Sequence, residues 1–340
     1  MMSVRAGGAS LKFDHASKFG LLQGHGSLRH SQFMSRFANS RLDIGFPLVG
    51  RARFRLSGGD CFRYLNGQVS QDLRRVTHQL ALPACVTSAK GRLQAEVWVV
   101  AENQAAQQQA LLVDAPGELR ETLLQRLERY IVADDVVVED VTGLSELVHF
   151  PVAEMPEVEH FPAVGRAKAA RLGETGWDVW VSANQFDAFC TALGERLGRV
   201  ENYERLRIER GIPAWGAELT EDTLPPEAGL DRTHVDYHKG CYIGQEVISR
   251  LKSVGHVNQT LRRFTGKIDP LAAATGLAQP AGPSSGDLLY LAGTHENAVG
   301  KLTSVVSGLA GEFLALGYLK RGVLGVDFQT TNGVSFTAVS

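Results

Sequence analysis

Long apolar runs are missing: no stretch of the 340 residues approaches the roughly 18–20 needed to cross a bilayer, so no membrane-spanning helix is expected. Cysteine is scarce. The four, Cys61, Cys85, Cys190 and Cys241, form no CxxC pair and no Cys/His cluster at zinc-finger spacing, which excludes a disulfide framework and a self-contained metal site and suits a reducing compartment. An excess of charge is missing too. At a net charge of -2 the whole protein has no pull toward nucleic acid or anionic lipid, although a local basic patch would not register in that total. Neither a GxxxxGK[ST] loop nor a GxGxxG fingerprint occurs, which argues against a nucleotide-binding enzyme. His15, His25 and His30 do not share one helical face and read as residues of a solvated segment rather than metal ligands.

What is present is enough apolar material, 44% of the residues, to fill two or three cores. The first forty residues stand apart, with seven serines, five Lys/Arg and Asp14 as their one acid. They read as a flexible tail, or as translation from a start upstream of Met34; the alternative is an organellar transit peptide. From about Ile44 the pattern is α+β. "ARFRLSG" alternates apolar and polar residues, and "LQAEVWVVAE" and "DDVVVEDV" read as further strands. "DCFRYLNGQVSQDL" reads as a short helix capped by Asp60, and "PGELRETLLQRLERYI" as an amphipathic helix with Leu119, Leu123, Leu127 and Tyr130 on its apolar stripe.

A second strand–helix pair follows in "WDVWVS" and "NQFDAFCTALGERLG", where Cys190 lies beside the apolar stripe as a small core residue. Residues 270–286, rich in Ala, Pro, Gly and Ser, read as a long loop. Beyond it, "DLLYLAG", "AVGKLTSVVS", "EFLALGYLKRG" and "VSFTAV" are short strands of a closing β domain.

The stretch "HKGCYIGQEVISRL", residues 238–251, holds the one cysteine set among charged and glycine residues. Lys239 and Arg250 are placed to favour a thiolate at Cys241, the nucleophilic and metal-ligating form; the plainer alternative is a small buried hydrophobe in a glycine-shaped turn. Gln245, Glu246 and the earlier Glu227 can pair with the amide-like edge of a heterocycle, and each can equally serve as a cap or a surface residue.

Lys239-Gly240-Cys241-Tyr242-Ile243-Gly244-Gln245-Glu246 resembles the K-G-C-[aromatic]-x-G-Q-E signature of the YgfZ family, folate-binding proteins that support iron–sulfur enzymes. "YLNGQVSQDL", "KGRLQAE", "LRIERGIPAWGAEL", "LPPEAGLD" and "VGKLTSVVSG" resemble other landmarks in order, over residues 46 to 335, and are shared with the glycine-cleavage T-protein, an aminomethyltransferase. The resemblance implies a three-domain fold enclosing a folate channel: a discontinuous α+β domain over residues 44–75 and 142–258, an inserted α+β domain over 76–141 and a C-terminal β-barrel over 259–340. It implies tetrahydrofolate or a one-carbon derivative as cofactor, with contacts from Glu227, Tyr242, Gln245, Glu246, Arg250, Asn66, Gln68, Asp72 and Glu174. Cys241 and Lys239 would be the working groups.

The implied role is assembly or repair of iron–sulfur clusters in client enzymes met transiently, including tRNA-modifying ones, by a monomeric cytoplasmic protein that binds neither membrane nor nucleic acid stably. The alternative is a one-carbon transferase. Against it stands a departure: the T-protein's Gly-Gly-x-x-Asp-Asp is replaced by Lys90-Gly91-Arg92-Leu93-Gln94-Ala95, which leaves Ala95 where the catalytic acid is expected.

Overall fold

The computed structural model describes residues 44–102, 110–155, 158, 163–173, 175–268, 282–294, 296–308 and 311–339. The expected N-terminal tail, most of the 270–286 loop and Glu174 lie outside the described residues.

Two sheets and a barrel carry the chain. In the first sheet, β1 (Phe46–Leu48) pairs with β7 (Ser145–Phe150), followed by β9 (Trp177–Ser182) and β8 (Ala163–Lys168). Between β1 and β7 the chain builds a second sheet from β2 (Ala52–Ser57), β3 (Leu82–Thr87), β4 (Leu93–Ala101), β5 (Leu111–Ala115) and β6 (Val137–Asp140). These five strands are hydrogen-bonded in the order β3-β4-β5-β2-β6. Strand β2, assigned by sequence to the first domain, is hydrogen-bonded between β5 and β6, because its Ala52, Phe54 and Leu56 face complete that sheet's core.

Helix α1 (Cys61–Gln68) and helix α2 (Arg120–Glu128) cover this core with Leu65, Leu123 and Leu127. Two local expectations are corrected. Asp60 does not cap α1 with its side chain; the carboxylate accepts instead from the Asp135 backbone N–H at 3.0 Å, tying the helix start to a distant loop. Tyr130 lies beyond the end of α2, exposed, under the guanidinium of Arg126. Helix α3 (Phe186–Leu193) packs Phe186, Phe189 and Leu193 on the first sheet, with Cys190 half-buried at the margin of that cluster.

Strand parity gives β4 two different faces. Ala95, Val97 and Val99 enter the core beneath α1 and α2, whereas Trp98 and Val100 face the first sheet, against Leu147 and Trp180.

Helix α4 (Val200–Arg210) ends at Gly211 in the left-handed region (φ 75) and leads to the barrel. The barrel strands are β10 (Gln259–Lys267), β11 (Leu288–Leu291), β12 (Gly300–Ser307), β13 (Glu312–Lys320), β14 (Asp327–Thr330) and β15 (Ser335–Val339), closed in the order β10-β13-β12-β11-β14-β15. A buried ion pair joins it to the body. Glu218 accepts from Arg207 at 3.0 Å, from Ser304 at 2.6 Å and from Thr303 at 2.7 Å, while Tyr318 donates to its backbone carbonyl. Among the described residues no helix is long and apolar enough to cross a membrane.

Candidate functional site

A cavity of about 610 Å³ opens where the two sheets and the barrel meet. β4 contributes Glu96 and Trp98 to its wall, the turn after β8 contributes Arg171, the end of α4 Arg210, the segment 226–234 Glu227 and His234, and β10 Arg262 and Arg263. This volume lies within the ordinary range for small-molecule sites.

Glu96 was not legible in the sequence. Ala95 is fully buried in the core of the second sheet, so the acid expected there would point away from the cavity; its neighbour, of opposite parity, points in. The Glu96 carboxylate accepts from Trp98 Nε1 at 3.0 Å and meets His234 Nε2 at 3.3 Å. Burial pushes its pKa up, but the hydrogen bond and charge of His234, with Arg51 and Arg171, outweigh this and hold it down at about 2. The cavity therefore carries a permanent acceptor at neutral pH. A carboxylate thus stands in the cavity wall one residue beyond Ala95.

Beneath Trp98 runs a buried ionic chain. Arg171 lies 4.8 Å above the Trp98 ring and donates to Asp178 at 2.7–3.0 Å and to Asp114 at 2.7 Å. Asp114 also takes Arg51, and Asp178 takes His149 Nδ1 at 2.9 Å. Burial works against every charge here. For Arg171 the two aspartates outweigh it and raise the pKa, so the guanidinium stays charged under the cavity floor. Burial lowers the pKa of His149, keeping that imidazole neutral.

Of the residues expected from sequence to contact a cofactor, Glu227 lines the cavity. Its Oε2 accepts from the Leu224 N–H at 3.2 Å and from Gln259 at 3.4 Å, leaving Oε1 for a ligand. The others gather elsewhere: Tyr242, Gln245, Glu246, Arg250, Asn66, Gln68 and Asp72 are not in the cavity wall. Asn66 Oδ1 accepts from the Leu73 N–H at 3.0 Å, Gln68 accepts from the buried Arg126 at 2.8 Å, and Asp72 pairs with Arg74. These bonds brace the segment after α1 and leave its side chains committed to the protein itself.

The cysteine segment grips that brace. Lys239 is buried and its Nζ donates to the carbonyls of Asn66, Val69 and Gln71 at 2.6, 2.7 and 2.7 Å. Burial pulls its pKa down to about 8. Tyr242 is buried beside Val235 and Ile248, with the Lys239 ammonium 5.4 Å from its ring. Gly244 (φ 87) starts helix α5 (Gln245–Ser253), and a Cβ there would stand 2.5 Å from the Ser88 carbonyl oxygen, in the turn between β3 and β4. Thr87 Oγ1 donates to the Ile243 carbonyl from the same turn. Between these anchors Cys241 is exposed, whereas Cys61 and Cys85 are buried. Among the described residues, no three His, Cys, Asp or Glu side chains are grouped to hold a metal ion.

No protein-family model matches the chain. The chain is similar to a putative chloroplastic transferase of Arabidopsis thaliana, at 24% identity over 84% of this chain and 67% of that protein. It is similar to the mitochondrial iron–sulfur cluster assembly factor IBA57 homolog of Phaeosphaeria nodorum, at 27% identity over 70% of this chain and 58% of that one. An aminomethyltransferase of Synechocystis is 26% identical over 62% of this chain and 63% of its own length. The crystal structure of the glycine cleavage system aminomethyltransferase T from Bartonella henselae superposes with a TM-score of 0.68, at 16% identity, over 87% of this chain and 84% of that one. The fold is that of the glycine-cleavage T-protein. Sequence and fold together place the chain in the superfamily that holds aminomethyltransferases and IBA57-type assembly factors. The match spans about three fifths of the IBA57 homolog and of the Synechocystis enzyme.

Proposed function

We propose that the protein is a folate-dependent accessory factor for assembly or repair of iron–sulfur clusters, of the YgfZ type, with clients that include tRNA-modifying enzymes. The observation that carries this reading is the presentation of Cys241: Lys239, Tyr242 and Gly244 are each anchored by burial, hydrogen bonds or close backbone packing, and the thiol between them is left in solvent. A segment braced on both sides of an exposed thiol suits contact with a sulfur species, a cluster or a partner's thiol. The similarity to an IBA57 homolog supports the same reading.

The cavity's donors and acceptors fit tetrahydrofolate or a one-carbon derivative. Glu96 and Glu227 can accept from ring N–H and exocyclic amine groups, and Arg262 and Arg263 can meet the carboxylates of a glutamyl tail. Bound folate would supply one-carbon or reducing chemistry; the chain's own residues hold and orient it. The second reading, a one-carbon transferase, is favoured by Glu96, a carboxylate in the cavity that the sequence suggested was lost. The mitochondrial and chloroplastic relatives favour the organellar setting over the cytoplasmic one.

The test is complementation. A deletion strain is assayed for iron–sulfur enzyme activities and thiolated tRNA with wild type, Cys241→Ser and Glu96→Gln. Loss of both readouts with Cys241→Ser at normal protein level is the expected result. Full complementation by Cys241→Ser, together with methylene-folate formation from an aminomethyl-lipoyl carrier that Glu96→Gln abolishes, would hand the function to the transferase reading.

A further inference from the structure

A larger cavity, of about 1080 Å³, lies between the two sheets. It shares no described wall residue with the central one. In the apolar cluster where the sheets meet, Trp98 belongs to the wall of the central cavity, and Val100, Leu112 and Trp180 to the wall of the second. Val100 and Trp180 are buried, while Leu144, Met155 and Val164 of the same wall are exposed, so the wall runs from the interior to the surface. Its Lys, Arg, Asp and Glu members among the described residues are Arg53, Arg55, Arg166 and Lys168, against the one acid Glu102.

Arg53 is the member that the fold leaves unbalanced. It is 8% exposed, its guanidinium carbon lies 4.8 Å from the Trp180 ring centroid, and its Nη1 donates to the Ser145 hydroxyl. No carboxylate pairs with it among the described residues. Asp114 is taken by Arg51 and Arg171, Asp178 by Arg171 and His149, and Glu102 by Arg55 at 2.7 Å. Three guanidiniums, of Arg51, Arg53 and Arg171, thus share the two carboxylates of Asp114 and Asp178 beside a neutral His149. Burial pulls the pKa of Arg53 down to about 10, against the charges of Asp114, Glu102 and Asp178, so the group is still charged at neutral pH. A buried charge is ordinarily paired, because the hydration it has lost must be replaced. Arg53 Nε and the indole Nε1 of Trp180 are moreover buried with no acceptor among the described residues.

We propose that this cavity is a second ligand site, for an organic monocarboxylate with an apolar body. The carboxylate supplies the one negative charge that the cluster of Arg51, Arg53 and Arg171 lacks, and it gives Arg53 and the Trp180 indole an acceptor. The apolar body lies along Val100, Leu112 and the exposed Leu144. The site is independent of the folate reading of the central cavity.

The experiment is thermal unfolding and calorimetric titration of the full chain with phenylbutyrate, with phenylbutylamine, which has the same body and the opposite charge, and with inorganic phosphate. Phenylbutyrate at about ten times its Kd is expected to raise Tm by about 2 °C, and the amine and phosphate to leave it unchanged. Arg53→Met keeps the apolar stem and removes the charge. It should weaken phenylbutyrate binding at least about tenfold while leaving the Tm of the ligand-free protein unchanged or higher, because the charge it removes has no counter-charge. Trp180→Phe keeps a ring without the N–H and should weaken binding about threefold. Undiminished affinity in Arg53→Met would overturn the site, and a fall of several degrees in its ligand-free Tm would add that the arginine is purely structural. Should Arg53→Met fail to fold, undiminished affinity in Trp180→Phe overturns the site instead. Equal binding of the amine, phosphate binding as tight as that of phenylbutyrate, or no Tm shift and no heat with phenylbutyrate at about 10 mM would each overturn the proposal too.

Discussion

Replacing Lys239 by methionine tests whether this lysine positions the cysteine segment or activates the thiol. Methionine keeps the length and apolar stem but removes the ammonium that three carbonyls share at 2.6–2.7 Å. Hydrogen bonds from a charged donor are each worth about 1.5–3 kcal/mol, and a buried carbonyl left without a donor costs about 1–3 kcal/mol. Against this stands the relief of no longer burying a charge, the same desolvation that pulls the lysine down to about 8. The balance is a loss of about 3 kcal/mol, close to that for breaking a buried ion pair from one side. For a domain of this size it lowers Tm by roughly 5–10 °C. The assay is thermal unfolding read beside iodoacetamide labelling of Cys241 across pH, with the labelled peptide identified by mass. The expected result is a large fall in Tm with little change in the labelling profile below the melting range. A Tm within a degree of wild type, with labelling of Cys241 displaced to higher pH, would refute the positioning role and restore the thiol-activating one.

Cys241→Ser should leave Tm almost unchanged, because the side chain is exposed, so any loss of complementation measures chemistry rather than folding. Glu96 has a folded pKa of about 2 against an ordinary value of 4.5, so its contribution is complete above pH 4.5 and is lost as pH falls from there toward 2. Acid titration of stability should therefore show wild type losing up to about 3 kcal/mol through that window, a fall that Glu96→Gln flattens; parallel curves would count against the ionised pair with His234. Glu218→Gln removes the buried one of the two carboxylates paired with Arg207, leaving the more exposed Glu204, and should cost about 3 kcal/mol, with limited proteolysis cutting between body and barrel; unaltered digestion would argue against this junction. Gly244→Ala forces a Cβ to 2.5 Å from the Ser88 carbonyl oxygen at a positive φ and should destabilise by about 1–3 kcal/mol while lifting the start of α5, visible as increased hydrogen exchange in residues 243–248; wild-type exchange would contradict the docking.

The sequence by itself determined what depends on local period. Alternation in "ARFRLSG" and "LQAEVWVVAE", the apolar stripe of α3 and the glycine-separated strands of the barrel were all legible, because side-chain direction repeats every two residues in a strand and every 3.6 in a helix. The eight-residue cysteine signature was legible as a resemblance, and with it the superfamily. Tertiary structure alone decided which face of each strand met which neighbour. Ala95 and Glu96 are adjacent in β4, yet one lies in the core and the other in the cavity; that assignment required knowing that α1 and α2 cover one side of the sheet. Asp114, Asp178 and Arg171 read as isolated charges until strands β5 and β9 and the turn after β8 converge under Trp98. Lys239 looked like a partner for the cysteine two residues away, but its acceptors lie 168–173 residues earlier in the chain. Burying an ammonium leaves its donors no water, so the carbonyls that the fold brings within reach, and not the nearest residue in sequence, fix what the lysine does.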